Sequence, residues 1–201
     1  MEPVKTQAVT IQEFVRGLEQ IPATHFDPQT VYDYIAARRI EPASLPPYLY
    51  FSRANYTRNL VFKNELFEVL AICWEVGQVS RIHNHRDQHC WMAAAIGKLE
   101  NQNYRVRDRD PQRGTCRLEP SETLLITPSA PLAVDPDEPV HQVCNRPEYS
   151  ERAVSIHIYS RPFDTCEVYS LEHGKYYDVQ LSYTSEYGTL RPGEKDSLVQ
   201  R

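Results

Sequence analysis

No stretch of this 201-residue chain is an apolar run near the roughly 18 residues that a bilayer-spanning helix needs, so no membrane partner is expected. Met1 to Thr10 holds no apolar core of the kind found in secretory leaders, and the expected location is the cytoplasm. Basic residues are not in excess: 22 Lys and Arg stand against 27 Asp and Glu, for a formal charge of -5. Where arginines gather, Arg105, Arg107 and Arg109 are interleaved with Asp108 and Asp110. That pattern builds no basic groove and argues against nucleic acid. The five cysteines, Cys73, Cys90, Cys116, Cys144 and Cys166, are odd in number, widely spaced and free of any CxxC pair. A disulfide framework is not expected; reduced thiols are. Internal repeats and low-complexity segments are also missing.

What is present fits one soluble domain spanning 1–201, since this length is enough for a single sizeable core. The first 50 residues read as helical. Ile11, Phe14, Val15 and Leu18 recur at helical spacing behind a Thr10 cap, and a second helix begins near Pro28 with Val31, Tyr32, Ile35 and Ala36 on one face. Pro42, Pro46 and Pro47 break the pattern. From Tyr56 the texture turns to short strands: 59–62, 66–74, 89–96, 98–107, 115–118, 123–126, 140–145, 153–159 and 167–171. The predicted class is mainly β with N-terminal helices, the strands of 56–185 forming a barrel or sandwich. The polar tail from Arg191 to Arg201 is expected to fray.

The histidines cluster. His83, His85 and His89 share one short stretch, and His141 and His157 follow later. His83 and His85 are two apart, so on a strand both leave the same face. Two imidazoles on a face plus one from a distant strand make a set of three nitrogens suited to Fe, Zn, Cu or Ni. A surface His-x-His without function fits the spacing too. His89 competes as a ligand, but a third ligand so near in sequence needs a very tight turn, and a supporting position suits it better. A second pattern lies at Ala153 to Tyr159. Val154, Ile156 and Ile158 alternate with Ser155, His157 and Tyr159, whose spacing of roughly 6.6–7 Å suits a row of hydrogen bonds. The competing reading is a strand whose polar face meets solvent. A Ser–His hydrolase is disfavoured, because no Gly-x-Ser-x-Gly elbow occurs.

These segments carry a resemblance. Gly77-x5-His83-x-His85-x4-Cys90-x6-Gly97 resembles the first cupin motif, with Cys90 where a glutamate ligand is usual. His141-x3-Asn145 resembles the end of the second. Tyr56-Thr57-Arg58-Asn59-Leu60-Val61, the His83–Cys90 segment and Ser155 through Cys166 together resemble the cysteine dioxygenase family, over about Tyr56 to Gly174. The resemblance implies a cupin jelly-roll barrel and Fe(2+) held by His83, His85 and His141. It implies Arg58 as anchor of a substrate carboxylate, helped by Tyr56, and Tyr159 as the active-site phenol, held by His157 and Ser155. Cys90 matches the position that forms a thioether to that tyrosine in animal members, while Trp74 and Cys166 match supporting positions. The implied reaction adds both atoms of O2 to the thiol of L-cysteine, giving cysteine sulfinic acid, in a monomer.

One departure stands out. Ser160-Arg161-Pro162-Phe163 replaces the Ser-Pro-Pro-Phe common in the family, where the first proline is linked with a cis peptide; a non-proline cis bond costs roughly 2.5–4 kcal/mol. Arg161 is then either a surface residue or a second cation near the substrate. Three rival readings stay open. A 3-mercaptopropionate or other mercaptoacid dioxygenase keeps the chemistry, although such relatives carry Gln at the position of Arg58. A non-catalytic cupin would sense a metal or thiol. A zinc hydrolase would need a general base, for which only Asp87 stands near the ligand motif.

Overall fold

The computed structural model describes residues 6–134, 136–137, 139–192 and 198–199. Both expected helices form. Ile11–Glu19 starts at Thr10, whose side chain accepts from the Glu13 backbone N–H while Glu13 reaches back to the Thr10 N–H, a closed capping box. Pro28–Ala36 starts behind Asp27, which accepts from the N–H groups of Gln29 and Thr30, with proline at the first position, where no N–H is needed. Ile11, Phe14, Val15 and Leu18 from the first helix and Val31 and Ile35 from the second are buried, each worth roughly 1.5–3 kcal/mol of apolar burial.

They pack on a seven-stranded sheet, ordered Leu132–Ala133, Cys90–Ile96, Ala153–Ser160, Phe67–Trp74, Thr57–Lys63, Ser185–Glu186 and Thr189–Leu190. A further six strands close into a barrel: Val140–Cys144, Ile82–His83, Thr165–Ser170, Lys175–Gln180, Thr115–Ile126 and Leu99–Asp110. The predicted mainly-β barrel with N-terminal helices is the observed class.

The central strand of the first sheet explains the alternation in its sequence. Every residue of Ala153–Ser160 is buried. Val154, Ile156 and Ile158 join the helices in one apolar cluster with Phe67, Val69 and Trp91. The opposite face carries Ser155, His157 and Tyr159 inward, beside a cluster of Leu60, Leu70, Ile72, Trp74, Cys90 and Met92. The polar face therefore meets the barrel interior and not solvent. Gly97 turns the chain from Cys90–Ile96 into Leu99–Asp110 at φ 66°, where a side-chain Cβ would sit 2.7 Å from the Arg152 carbonyl oxygen.

Three expectations are corrected. The strands expected at 115–118 and 123–126 are one, Thr115–Ile126. Pro120, which suggested a break, sits beside a register shift between Gln102 and Tyr104 on the partner strand, where the ladder is already interrupted. Lys175–Gln180, unexpected because it is mostly exposed, pairs with Thr165–Ser170 along its whole length. The expected frayed tail lies largely outside the described residues; within it, Leu198–Val199 pairs with Phe51–Ser52.

Candidate metal centre and substrate cavity

Three imidazoles meet at one end of the barrel interior. Ile82–His83 pairs with Val140–Cys144, with His83 directly opposite His141. His85 follows just beyond the end of its strand. One nitrogen from each of His83, His85 and His141 lies within 4.8 Å of the others, and Nε2 of His85 is 3.1 Å from Nε2 of His141. Two of the rings are fixed by bonds on their far side. His83 Nδ1 gives its proton to the Arg81 carbonyl at 2.8 Å, and His141 Nδ1 gives its proton to Asn101 Oδ1. The Asn101 amide is itself oriented by donating to Asn103 Oδ1 at 2.6 Å. Each bond places the proton on Nδ1 and leaves an Nε2 lone pair facing inward, the arrangement that prepares an imidazole for a metal.

Burial keeps these rings neutral. It pulls His83 down to about 4 and holds His85 and His141 well below the usual histidine range, the neighbouring His83 adding to both. Converging lone pairs without protons are a poor arrangement for an empty pocket and a good one for a divalent cation. The buried Nδ1 of His85 has no partner. The donor set fits a metal ion and by itself does not select one.

Beside the imidazoles runs the row foreseen in the sequence. Trp74 Nε1–H donates to Ser155 Oγ at 3.0 Å, Ser155 Oγ lies 2.9 Å from His157 Nε2, and His157 Nδ1 lies 3.1 Å from the Tyr159 hydroxyl. Burial, with the nearby charge of Arg58, lowers His157 to about 3, so its ring is neutral, a donor at one nitrogen and an acceptor at the other. With Trp74 filling one lone pair of Ser155, the tautomer that suits the row has the serine hydroxyl donating to Nε2. His157 then gives Nδ1–H to the phenol oxygen, and the phenol proton is left for the cavity. Burial, with Cys90 alongside, pushes the Tyr159 phenol well above its ordinary range.

Cys90 stands directly across from Tyr159 on the adjacent strand and is buried, which raises its thiol. His85 and Cys90 are five apart, a parity that would put them on opposite faces of one flat strand. The chain solves this with a tight turn: Arg86 and Asp87 have φ of 51° and 61°, and the Gln88 N–H donates to the His85 carbonyl.

A cavity of about 430 Å³ opens onto these groups. His83, His85, Tyr159, Phe163 and Cys166 line it together with Tyr56 and Arg58 and with Val179, Gln180, Leu181, Ser182 and Thr184. Tyr56 stacks on Trp74 with ring centres 4.6 Å apart. Arg58 has a buried Nε with no hydrogen-bond partner, and among the described residues no carboxylate pairs with it.

The family model described as cysteine dioxygenase type I matches residues 1–172. The chain belongs to that family. Cysteine dioxygenase type 1 of Danio rerio is 28% identical over 187 residues, covering 92% of this chain and 91% of its own. That of Bos taurus is 30% identical over 185 residues, covering 91% and 90%, and that of Homo sapiens is 29% identical over the same span. Solved cupins superpose only loosely; an RmlC-like cupin protein from Desulfovibrio desulfuricans gives a TM-score of 0.40 at 19% identity over 57% of this chain and 91% of that one. Membership makes the chain a dioxygenase of the cysteine dioxygenase type, and the non-catalytic alternative falls away. Among the described residues no helix is long and apolar enough to cross a membrane.

The remaining residues singled out in the sequence land away from the enzyme's cavity. His89 and Arg161 line a separate outer pocket with Asp87 and Ser160, and the His89 ring packs near Trp91. Among the described residues the cluster that could hold a metal includes neither His89 nor Asp87, and neither lines the cavity. The reading of Arg161 as a second cation near the substrate is corrected. It is exposed at φ 48°, and the Ser160–Arg161 bond is trans.

Three residues that matter were not singled out. Asn101 fixes His141, and only the pairing of distant strands brings it there; its one sequence signal is an asparagine at an inward position after Leu99. Asn84, between His83 and His85, is clamped to Glu167: its Nδ2 donates to Glu167 Oε2 at 2.9 Å, and its Oδ1 accepts the Glu167 N–H at 3.0 Å. Arg109 grips the same carboxylate at 2.6 and 3.1 Å, so the ligand loop is tied to the long hairpin of 99–126. Glu68, opposite Tyr159 in the register, is fully buried and accepts from the Tyr183 hydroxyl at 2.5 Å.

Proposed function

We propose that the enzyme binds Fe(2+) through His83, His85 and His141 and oxidises the thiol of L-cysteine with O2 to cysteine sulfinic acid. One observation carries this reading. A guanidinium without a carboxylate, a neutral three-imidazole face and a buried phenol share one cavity. Arg58 would take the substrate carboxylate through its planar fork, a charge-assisted pairing worth about 1.5–3 kcal/mol, with Tyr56 beside it. This aims the thiol and amine at the imidazole face. Phe163, Val168 and Val179 wall the reacting end in apolar surface. Tyr159 presents its hydroxyl there, with the proton position set by His157, Ser155 and Trp74. Bound iron would supply the thiol-activating and O2-activating chemistry that no side chain here possesses. The reaction balances without a further reductant: sulfur gives four electrons, O2 accepts four, both oxygen atoms end on sulfur and the thiol proton ends on the sulfinate.

Cys90 and Tyr159 form a thioether in part of the population. The C–S bond replaces the thiol hydrogen and one ring hydrogen, a two-electron oxidation with O2 as acceptor. The protein acts in the cytoplasm as a monomer of one domain. The test is O2 uptake by the Fe(2+)-loaded protein with a panel of small thiols and the product identified by mass. One O2 consumed per cysteine, with a two-oxygen mass gain, is expected. A preference for 3-mercaptopropionate over cysteine would replace this reading with the mercaptoacid one.

A further inference from the structure

The cavity lining contains two guanidinium groups, Arg58 and Arg81, and not one carboxylate. Arg86, Arg107, Arg109, Arg117, Arg146 and Arg152 each hold an aspartate or glutamate, as expected where acidic residues outnumber basic ones. Among the described residues neither cavity arginine does. Glu68 is not part of the lining; it pairs with Lys63 at 3.7 Å, and its charge also acts on Arg58. The cavity lining therefore offers two cations and no anion, where a simple amino-acid thiol brings one carboxylate.

The two arginines are placed at different depths of the same space. Arg58 is half-buried on its strand, and Arg81 is exposed at the mouth. The Arg81 backbone is pinned, its carbonyl accepting from Ser80 Oγ at 3.0 Å and from His83 Nδ1 at 2.8 Å, so its side chain springs from a fixed point next to the imidazole face. Tyr56 and Cys166 line the same cavity. Burial raises both groups, and both arginines oppose that rise. The space suffices: at roughly 30 Å³ per water, about 430 Å³ holds roughly fourteen waters, and cysteine has only about half that many non-hydrogen atoms.

We infer that Arg81 forms a second anion subsite at the cavity mouth, and that the enzyme accepts thiols carrying two carboxylates, one on Arg58 and one on Arg81. This rests on the reading of Arg58 as a carboxylate anchor. Because Arg81 is partly solvated, its contribution weakens with salt.

Two measurements test it. Titration calorimetry of the Fe(2+)-loaded protein with succinate and propionate reads the subsite without turnover: succinate should bind at least tenfold more tightly at low salt, and Arg81→Gln should close most of that gap. Steady-state oxidation of 2-mercaptosuccinate and L-cysteine then reads substrate class: Arg81→Gln should lower kcat/KM for the dicarboxylate at least fivefold more than for cysteine. The inference is overturned if succinate binds no better than propionate, if the gap survives in Arg81→Gln, or if 2-mercaptosuccinate is not oxidised. A protein that prefers succinate, loses the preference in Arg81→Gln and yet does not oxidise cysteine would strike the proposed cysteine reaction and uphold the anion subsite.

Discussion

Replacing Arg58 by glutamine removes a charge but keeps a neutral donor in the cavity wall. The lost charge-assisted pairing is worth about 1.5–3 kcal/mol, and at 1.4 kcal/mol per decade this lowers kcat/KM for cysteine by roughly ten- to 150-fold. The effect on folding should run the other way. Among the described residues Arg58 makes no ion pair and its buried Nε has no hydrogen-bond partner, so Arg58→Gln breaks no such bond and removes the desolvation cost of the cation together with its attraction to Glu68. Thermal unfolding of the metal-free variant should show a Tm equal to or above that of the parent. Cysteamine, which has the thiol and amine but no carboxylate, should bind both proteins alike by calorimetry, and 3-mercaptopropionate turnover should fall less than cysteine turnover. The reasoning is refuted if cysteamine binding drops in parallel with cysteine turnover, or if Tm falls by more than about 4 °C, which at this chain length signals a loss of at least 1 kcal/mol.

Alanine at His83, His85 or His141 should each abolish iron retention measured by elemental analysis, since three ligands leave no redundancy, while His89→Ala, on the outer pocket, should keep most of it. Wild type after prolonged turnover should run as two closely spaced bands on denaturing electrophoresis and Cys90→Ser as one; a single wild-type band with an unlinked Tyr159 peptide by mass would remove the cross-link. His157 is held at about 3 when folded against 6.5 when unfolded, so between those values the unfolded chain binds more protons and stability rises with pH. Metal-free protein should therefore lose stability as pH falls from 6.5 toward 3, with His83, His85 and His141 contributing in the same direction, and His157→Gln should reduce that slope by one histidine's share in denaturant titrations; an unchanged slope would show that His157 does not contribute.

The strand Ala153–Ser160 was the most legible part of the chain because its two faces differ in chemistry, and alternation carries that difference directly. The histidine set was legible for another reason: its members repeat a known spacing, and the structure brings those three side chains together. Thr10 as a cap and Pro28 at a first helical position announced the helices through local chemistry. What stayed hidden depends on pairing between segments far apart in sequence. Asn101 acquires its purpose from His141, 40 residues away, and Glu167 from Asn84, 83 residues away. Lys175–Gln180 is a strand because its neighbour offers an edge, without an apolar alternation of its own. Arg81 looked like any surface arginine until the cavity gave it a direction.

The cavity joins two kinds of wall. Tyr159 and the groups that hold it stand on a strand packed on both faces, where any change of volume is felt by the helices on one side or the imidazoles on the other. Gln180, Leu181 and Ser182 line the same cavity from a segment with backbone anchors, the Leu181 N–H to the Asp164 carbonyl and the Thr184 N–H to the Arg58 carbonyl, each at 2.7 Å. Side chains there can be exchanged without disturbing those two anchors. A library built on Gln180, Leu181 and Ser182 would therefore sample new thiols at little risk to folding, whereas the same number of changes around Ser155 and His157 would mostly yield unfolded protein. Adaptability and oxidation chemistry are carried by different stretches of the same chain, which lets one vary while the other stays still.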